Sequence, residues 1–267
     1  MRALAGMVTA AALLLPAPAF VLLNAEPQAS ASQSTAARPL PEADAFYAAV
    51  RANLARADRE QYRYAYRERR SEVHSNPFGK IGTGGTVTYD VVPGKELGIY
   101  QRRLIERDGK PLPIGDQKTE TLDRRERGQS NPSIEDVVAT LEFKIRGREM
   151  LAARECIVVE FAPRKGASPK TRQGKVAKVF KGTVWIDEAL HEVVRVDATS
   201  IDDMSYGLGF VARLNEGTHA TLVREPIDGG VWLPTSVVLK GEGRAILFRK
   251  LNIDYVVEWF NYRRTLN

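Results

Sequence analysis

The stretch GTVWIDEALHEVVRVD, residues 182–197, reads as two short strands joined by a tight polar turn. Thr183, Trp185 and Asp187 point to one side of the first strand, and Val184 and Ile186 to the other. After the turn, Val193, Arg195 and Asp197 alternate against Val194 and Val196, the period of two that a strand imposes. Val184, Ile186, Val194 and Val196 together predict one aliphatic core face. A large indole at Trp185 then has no reason to stand on a face backed only by water, so the second face must also be accounted for.

Working outward, the same alternation recurs. QYRYAYRERR (61–70) sets Tyr62, Tyr64 and Tyr66 on one side and Arg63, Ala65, Arg67 and Arg69 on the other. Three aromatics in a row demand burial or a ligand. Strands are also predicted at 85–92 and 97–107, in KIRGREMLAARECIVVEFAP (144–163), and repeatedly from residue 206 to 264. In the last of these, Leu251, Ile253, Tyr255, Val257 and Trp259 share a face. Strands this numerous with few helices predict a mainly β (α+β) chain whose one antiparallel sheet curls strongly.

Two helices interrupt the β pattern. Pro41 opens the first, with Glu42 and Asp44 in its first turn and an apolar stripe of Ala43, Phe46, Tyr47, Val50 and Leu54. The second is short, SIEDVVATLEF, opened by Ser133 with Asp136 three residues on. Residues 116–128 are charged with weak helical periodicity, and a basic loop is expected from Arg164 to about Gly174.

The N-terminus gives the address. MRALAGMVTAAALLLPAPAFVLLNA has a basic Arg2, an apolar stretch and small residues near cleavage points, the pattern of a secretory signal peptide. The expected organisation is a signal peptide at 1–25, a flexible Ala/Ser/Gln/Pro tether at 26–40 and one domain at 41–267, with cleavage after Ala19, Ala25 or Ala31. The expected location is the periplasm. Cys156, the one cysteine, excludes an internal disulfide and sits in a strand interior, where a buried, inert thiol is expected.

The formal charge of +6 comes with arginine runs at 67–70, 101–107, 122–128 and 261–267. They carry no nucleic-acid motif, so nucleic acid is excluded as a partner, and an anionic membrane surface is the functional alternative to plain solvated faces. Chemistry is sparse. In HEVVR (191–195) Arg195 stands where a metalloprotease helix needs its second histidine, and the segment reads as strand. His74 and His219 are isolated, Asp202-Asp203 is a polar loop or a cation site, and GTGGT (82–86) lacks the residues of a phosphate loop. No catalytic residue, metal site or cofactor is expected, and the chain is read as a non-enzyme.

With the signal peptide, the amphipathic first helix and the tyrosine-rich first strand, VWIDEALHEVVRVD (184–197) resembles a hairpin of the outer-membrane lipoprotein-sorting proteins and their stress-sensing relatives. GGVWLPTSVVLKGEG (229–243) resembles a later strand of such proteins. The resemblance implies an unclosed half-barrel whose concave face is plugged by both helices. It implies a carrier of a lipid, acyl chain or lipoprotein, or alternatively an envelope sensor that binds a protein partner; a hydrolase is the remaining rival, and a monomer is the expected state, which the sequence itself does not fix. On this reading an apolar cavity is lined by Phe46, Val50, Tyr62, Tyr64, Tyr66, Trp185, Trp232 and Tyr255, while basic rim residues meet lipid phosphates. Alternation leaves open which aromatics face the cavity and which cover the outside.

Overall fold

The computed structural model describes residues 38–75, 81–123, 132–206, 212–245 and 249–265. The expected signal peptide and residues 26–37 of the expected tether lie outside the described residues. Three α-helices occur among them: α1 (Ala43–Glu60), α2 (Pro132–Thr140) and α3 (Arg172–Ala177). The first strands are β1 (Tyr64–Ser75), β2 (Ile81–Pro93), β3 (Ile99–Arg107), β4 (Lys110–Pro111), β5 (Thr119–Asp123), β6 (Leu141–Leu151) and β7 (Arg154–Pro163). There follow β8 (Phe180–Asp187), β9 (Val193–Ser200), β10 (Met204–Tyr206), β11 (Ala212–Leu214), β12 (His219–Ile227), β13 (Val231–Ala245) and β14 (Arg249–Arg264).

All fourteen strands join one sheet, ordered β4-β3-β2-β1-β14-β13-β12-β9-β8-β7-β6, with β5 on the outer edge of β3 and β10–β11 beside β13. Every pairing is antiparallel. The last strand inserts between β1 and β13, so the two ends of the domain are stitched together at the middle of the sheet. Among the described residues β6 and the β4/β5 edge do not pair with each other, so the curl stays open: an unclosed half-barrel.

The helix α1 forms where the apolar stripe predicts it. Glu42 is its N-cap, accepting from the amides of Asp44 (2.9 Å) and Ala45 (2.8 Å), which holds that carboxyl below its ordinary range. Phe46 and Val50 bury against Ile157 and Val159 of β7, Ile186 of β8, Val193 of β9 and Leu222 of β12. Ala57, two turns beyond Val50, meets Tyr64 and Leu233. The concave face is therefore the one that α1 covers. Val137 of α2 and Val176 of α3 reach the same face through Leu141, Phe161 and Phe180. The Asp136 carboxylate fastens these two helices by accepting from the Thr171 hydroxyl (2.6 Å) and amide (2.7 Å), and these bonds lower its pKa.

Several local expectations are corrected. Residues 61–63 form a 3-10 turn, so Tyr62 precedes the strand that Tyr64 begins. The 116–128 segment contains strand β5, an edge strand whose outward charges hid its period. The basic 164–174 loop runs into a third helix, α3, capped by the Thr171 hydroxyl on the Gly174 amide (3.0 Å). Strands β6 and β7 are joined by Ala152 and Ala153, at φ 48° and 61°, where Asn-Gly is the natural two-residue turn. Converting that pair to Asn-Gly is expected to raise stability by about 0.5–1 kcal/mol, read as a shift of the urea midpoint at unchanged m-value.

Candidate functional site

The opening question about Trp185 resolves through a β-bulge. Trp185 pairs with Arg195, yet Ile186 pairs with Val193, so Val194 is the extra residue on β9. The bulge sends Val193 to the concave face and turns Val194 to the opposite one. There Val194, Cys156 and Trp232 form a small second core with Trp185 and Leu151 at its edge. The Trp185 indole donates to Glu149 (3.0 Å), and the Arg154 guanidinium lies 4.8 Å from the Trp232 ring. Val184, Ile186 and Val196 keep the expected core face, and Val194 does not.

The eight expected cavity residues are thus divided between the two faces. Phe46 and Val50 plug the concave face at β7, β8, β9 and β12; Tyr64 sits beneath the C-terminal turn of α1; Tyr62, Tyr66 and Tyr255 belong to the concave core at β1, β3, β13 and β14. Trp185 and Trp232 lie on the convex face and cannot line the same trough. Cys156 beside them is fully buried, and burial, with the negative charge of Asp187 second, pushes its thiol up to about 11. Folded protein is expected to resist alkylation by iodoacetamide at pH 8 and to react after denaturation in urea.

Beneath α1 the concave face is aliphatic; towards β1 and β14 it becomes aromatic. The second half holds Tyr66, Val91, Tyr100, Val237, Val257 and Trp259. Within it lies a cluster of charges that sequence reasoning missed. Glu68 and Arg70 continue the face of Tyr64 and Tyr66, because residues two apart on a strand share a side. Arg102 arrives on the same face through the register Tyr66–Val91–Arg102. Arg102 donates to Glu68 (3.2 Å) and to Glu120 (2.9 Å), and the Trp259 indole donates to the other Glu68 oxygen (3.2 Å). Arg70 donates to the Tyr89 hydroxyl (3.1 Å) and stands 3.9 Å from Glu68. Both guanidiniums lie over the Tyr89 ring, at 4.8 Å and 4.4 Å. Burial opposes the charge on Arg70, but Glu68 and the two phenols outweigh it and raise its pKa. Burial raises that of Tyr255. The extended face of YRYAYRERR was the available signal.

Polar contacts at the rim fix α1. Asn53 donates to the carbonyls of Leu190 (2.8 Å) and His191 (3.2 Å), and Arg56 pairs with Glu192 (2.9 Å). Ahead of the helix, Arg148 donates to the carbonyls of Arg38 and Pro39 (both 3.1 Å) and to Glu188 (2.7 Å). These bonds from Arg148, with a second set from Arg38, lower the pKa of Glu188. Under the Arg56 contact, Glu192 faces Arg224 at 3.4 Å, both nearly inaccessible, and Arg224 donates to the Trp232 carbonyl (2.7 Å).

The other candidates from the sequence are structural. The His191 ring packs 5.3 Å from Phe46, and Arg195 pairs with Asp197. His219 bonds the Thr199 hydroxyl (2.9 Å); Asp202 accepts from the Asp203 amide and Asp203 from the Glu216 amide. The side chain of His74 lies outside the described residues. Among the described residues no three His, Cys, Asp or Glu side chains converge to hold a metal, and no helix is long and apolar enough to cross a membrane. On the convex face, Arg67, Arg103 and Arg263 surround Asp90 at a groove of about 420 Å³ that Ile105 and Leu112 also line. Asp90 is paired with Arg263 (3.1 Å) and Arg103 (3.5 Å).

No protein-family model matches the chain, and no curated protein matches it. Among solved structures it is similar to a DUF1329 family protein from Desulfovibrio piger, at 13% identity and a TM-score of 0.35 over 84% of this chain and 93% of that one. It is also similar to a LolA superfamily protein from Nitrosomonas europaea, at 11% and 0.33 over 82% and 94%. The MucA/MucB complex of Pseudomonas aeruginosa is a third, at 12% and 0.27 over 84% and 100%. Identities this low transfer no residue role.

Proposed function

We propose that this chain is an exported, periplasmic binding protein that carries a lipid or lipoprotein acyl chain on the concave face of its half-barrel, with α1 as a displaceable plug. The observation that supports this most is how lightly α1 is held. Of its eighteen residues three are buried, Phe46, Val50 and Ala57; Tyr47 and Leu54 pack half-buried beside them, and its further anchors are polar groups at the rim. Burying Phe46 and Val50 contributes about 1.5–3 kcal/mol each. An alkyl chain of twelve carbons brings roughly 10 kcal/mol gross on the same strip, before ordering costs are subtracted. A guest chain can therefore compete with the helix without being held irreversibly, which is the range a carrier needs. Basic residues outside the trough, such as those around Asp90, suit an anionic membrane surface.

Native mass spectrometry of protein recovered from the periplasm, together with titration by a fluorescent fatty acid, tests this reading. Co-purifying lipid or saturable uptake of one chain per protein is expected. Protein that emerges empty and takes up no fatty acid contradicts it.

A further inference from the structure

The charged cluster in the aromatic half of the trough has no structural need that an apolar core would not meet more cheaply. Removing two guanidiniums and a carboxylate from water costs several kcal/mol per ion, and well-packed apolar residues in such places are often neutral or better. The charges are also unequal. Glu68 has both oxygens engaged, one by Arg102 and the other by Trp259. Glu120, the second carboxylate on Arg102, is half exposed at the rim. Arg70 stands 3.9 Å from Glu68, beyond hydrogen-bond distance, and among the described residues it donates to no carboxylate. Its hydrogen bond goes to the neutral Tyr89 phenol, and a hydroxyl that accepts from Arg70 keeps its own O–H to donate. The cluster thus presents one guanidinium that no carboxylate hydrogen-bonds and one phenol hydroxyl beside it.

Access and position complete the case. Arg70 retains 19% of its side-chain exposure and Tyr89 is half-buried, whereas Glu68 and Arg102 retain 10% each, so the cluster opens on its Arg70 side. Its neighbours on the same face are Val257, paired with Arg70, and Tyr255, paired with Leu239, from which the apolar surface runs on to Leu222 and the strip under α1. A charged donor set at one end of a continuous apolar face is what an amphiphile with an anionic head requires.

We infer that Arg70, with the hydroxyl of Tyr89, forms a head-group subsite that receives the carboxylate or phosphate of an amphiphile whose alkyl chain lies along the trough. This inference rests on the trough reading above and adds the chemical class of the guest. Arg102 and Glu68 are positioning residues: Arg102 lies over the Tyr89 ring, and its hydrogen bond to Glu68 holds that carboxylate outside hydrogen-bond distance of Arg70.

The test compares three probes of equal chain length on the purified protein: dodecanoate, dodecyl phosphate and 1-dodecanol, followed by calorimetry. Wild-type protein is expected to bind at least one of the two anions about ten- to a hundredfold more tightly than the alcohol, the range of a charge-assisted hydrogen bond. The probe with the larger preference identifies which head fits. Arg70→Gln is expected to bring the anions level with the alcohol while leaving the alcohol's affinity within about twofold. Tyr89→Phe, which keeps the ring under both guanidiniums, is expected to remove severalfold of the preference by itself, so that a poorly folded Arg70 variant does not decide the matter. Equal binding of acid, phosphate and alcohol by wild type, or an undiminished preference in both variants, overturns the head-group subsite and leaves the trough reading standing. Failure of all three probes to bind overturns the trough reading, and the subsite with it.

Discussion

Phe46→Ala is expected to lower unfolding stability by about 3–5 kcal/mol and at the same time to tighten the uptake of an alkyl chain. Phe46 is 3% exposed and packs with Val50 into the strip formed by Ile157, Ile186 and Val193. Truncation removes its own transfer free energy and leaves a void that the neighbouring strands, locked in a hydrogen-bonded ladder, cannot close. In a protein with an ordinary closed core that void is simply lost stability. Here it lies where the guest chain is proposed to go, so the variant loses part of the competitor that a ligand must displace. Urea denaturation with and without dodecanoate checks both halves. The ligand-induced rise in midpoint should be larger for the variant than for wild type, because binding to the native state stabilises it in proportion to the logarithm of ligand over Kd. A loss of stability that dodecanoate does not restore contradicts the prediction.

The second large effect concerns the ion pair beneath the plug. Glu192→Ala is expected to cost about 3–5 kcal/mol, since it strands the Arg224 guanidinium in the interior. Glu192 and Arg224 are 2% and 3% exposed, and burial already lowers the Arg224 pKa with Glu192 as its main compensation. The same substitution removes the partner of Arg56, so the grip of the hairpin turn on α1 loosens too. Arg56→Ala isolates that smaller part. Its pair is half exposed on the arginine side, and exposed pairs contribute about 0–1 kcal/mol. Equilibrium unfolding of both variants separates the terms; an Arg56 variant as damaging as the Glu192 variant contradicts the division.

Much of the fold could be read in the chain because its periods are undisturbed. The stripe of Phe46, Val50 and Leu54 specifies a helix with one apolar side, and the alternation in residues 182–187 and in YRYAYRERR specifies strands. What escaped was every place where a strand breaks its own period or where burial depends on distant partners. A single bulge residue, Val194, reverses the side assignment, and nothing in VVRV marks it. The bulge exchanges the sides of Val193 and Val194 and so builds, from Val194 and Cys156, the second core that covers Trp185 and Trp232. Arg70 and Arg102 read as solvated charges because composition prices an arginine as exposed. Their burial needs Tyr89, Tyr255 and Trp259, residues from two other strands, β2 and β14, that only the insertion of β14 beside β1 brings together. For the same reason the anchors of α1 were unreadable: Asn53 and Arg56 find their partners 136 to 138 residues away.

The most direct measurement is amide hydrogen exchange across α1 with and without saturating dodecanoate. If the helix is a plug that a guest chain replaces, amides of residues 46–57 exchange faster in the loaded protein while those of β7, β8 and β9 stay protected. Helix amides that keep or gain protection when dodecanoate is bound contradict displacement of α1, and with it the use of the concave face as a carrier site.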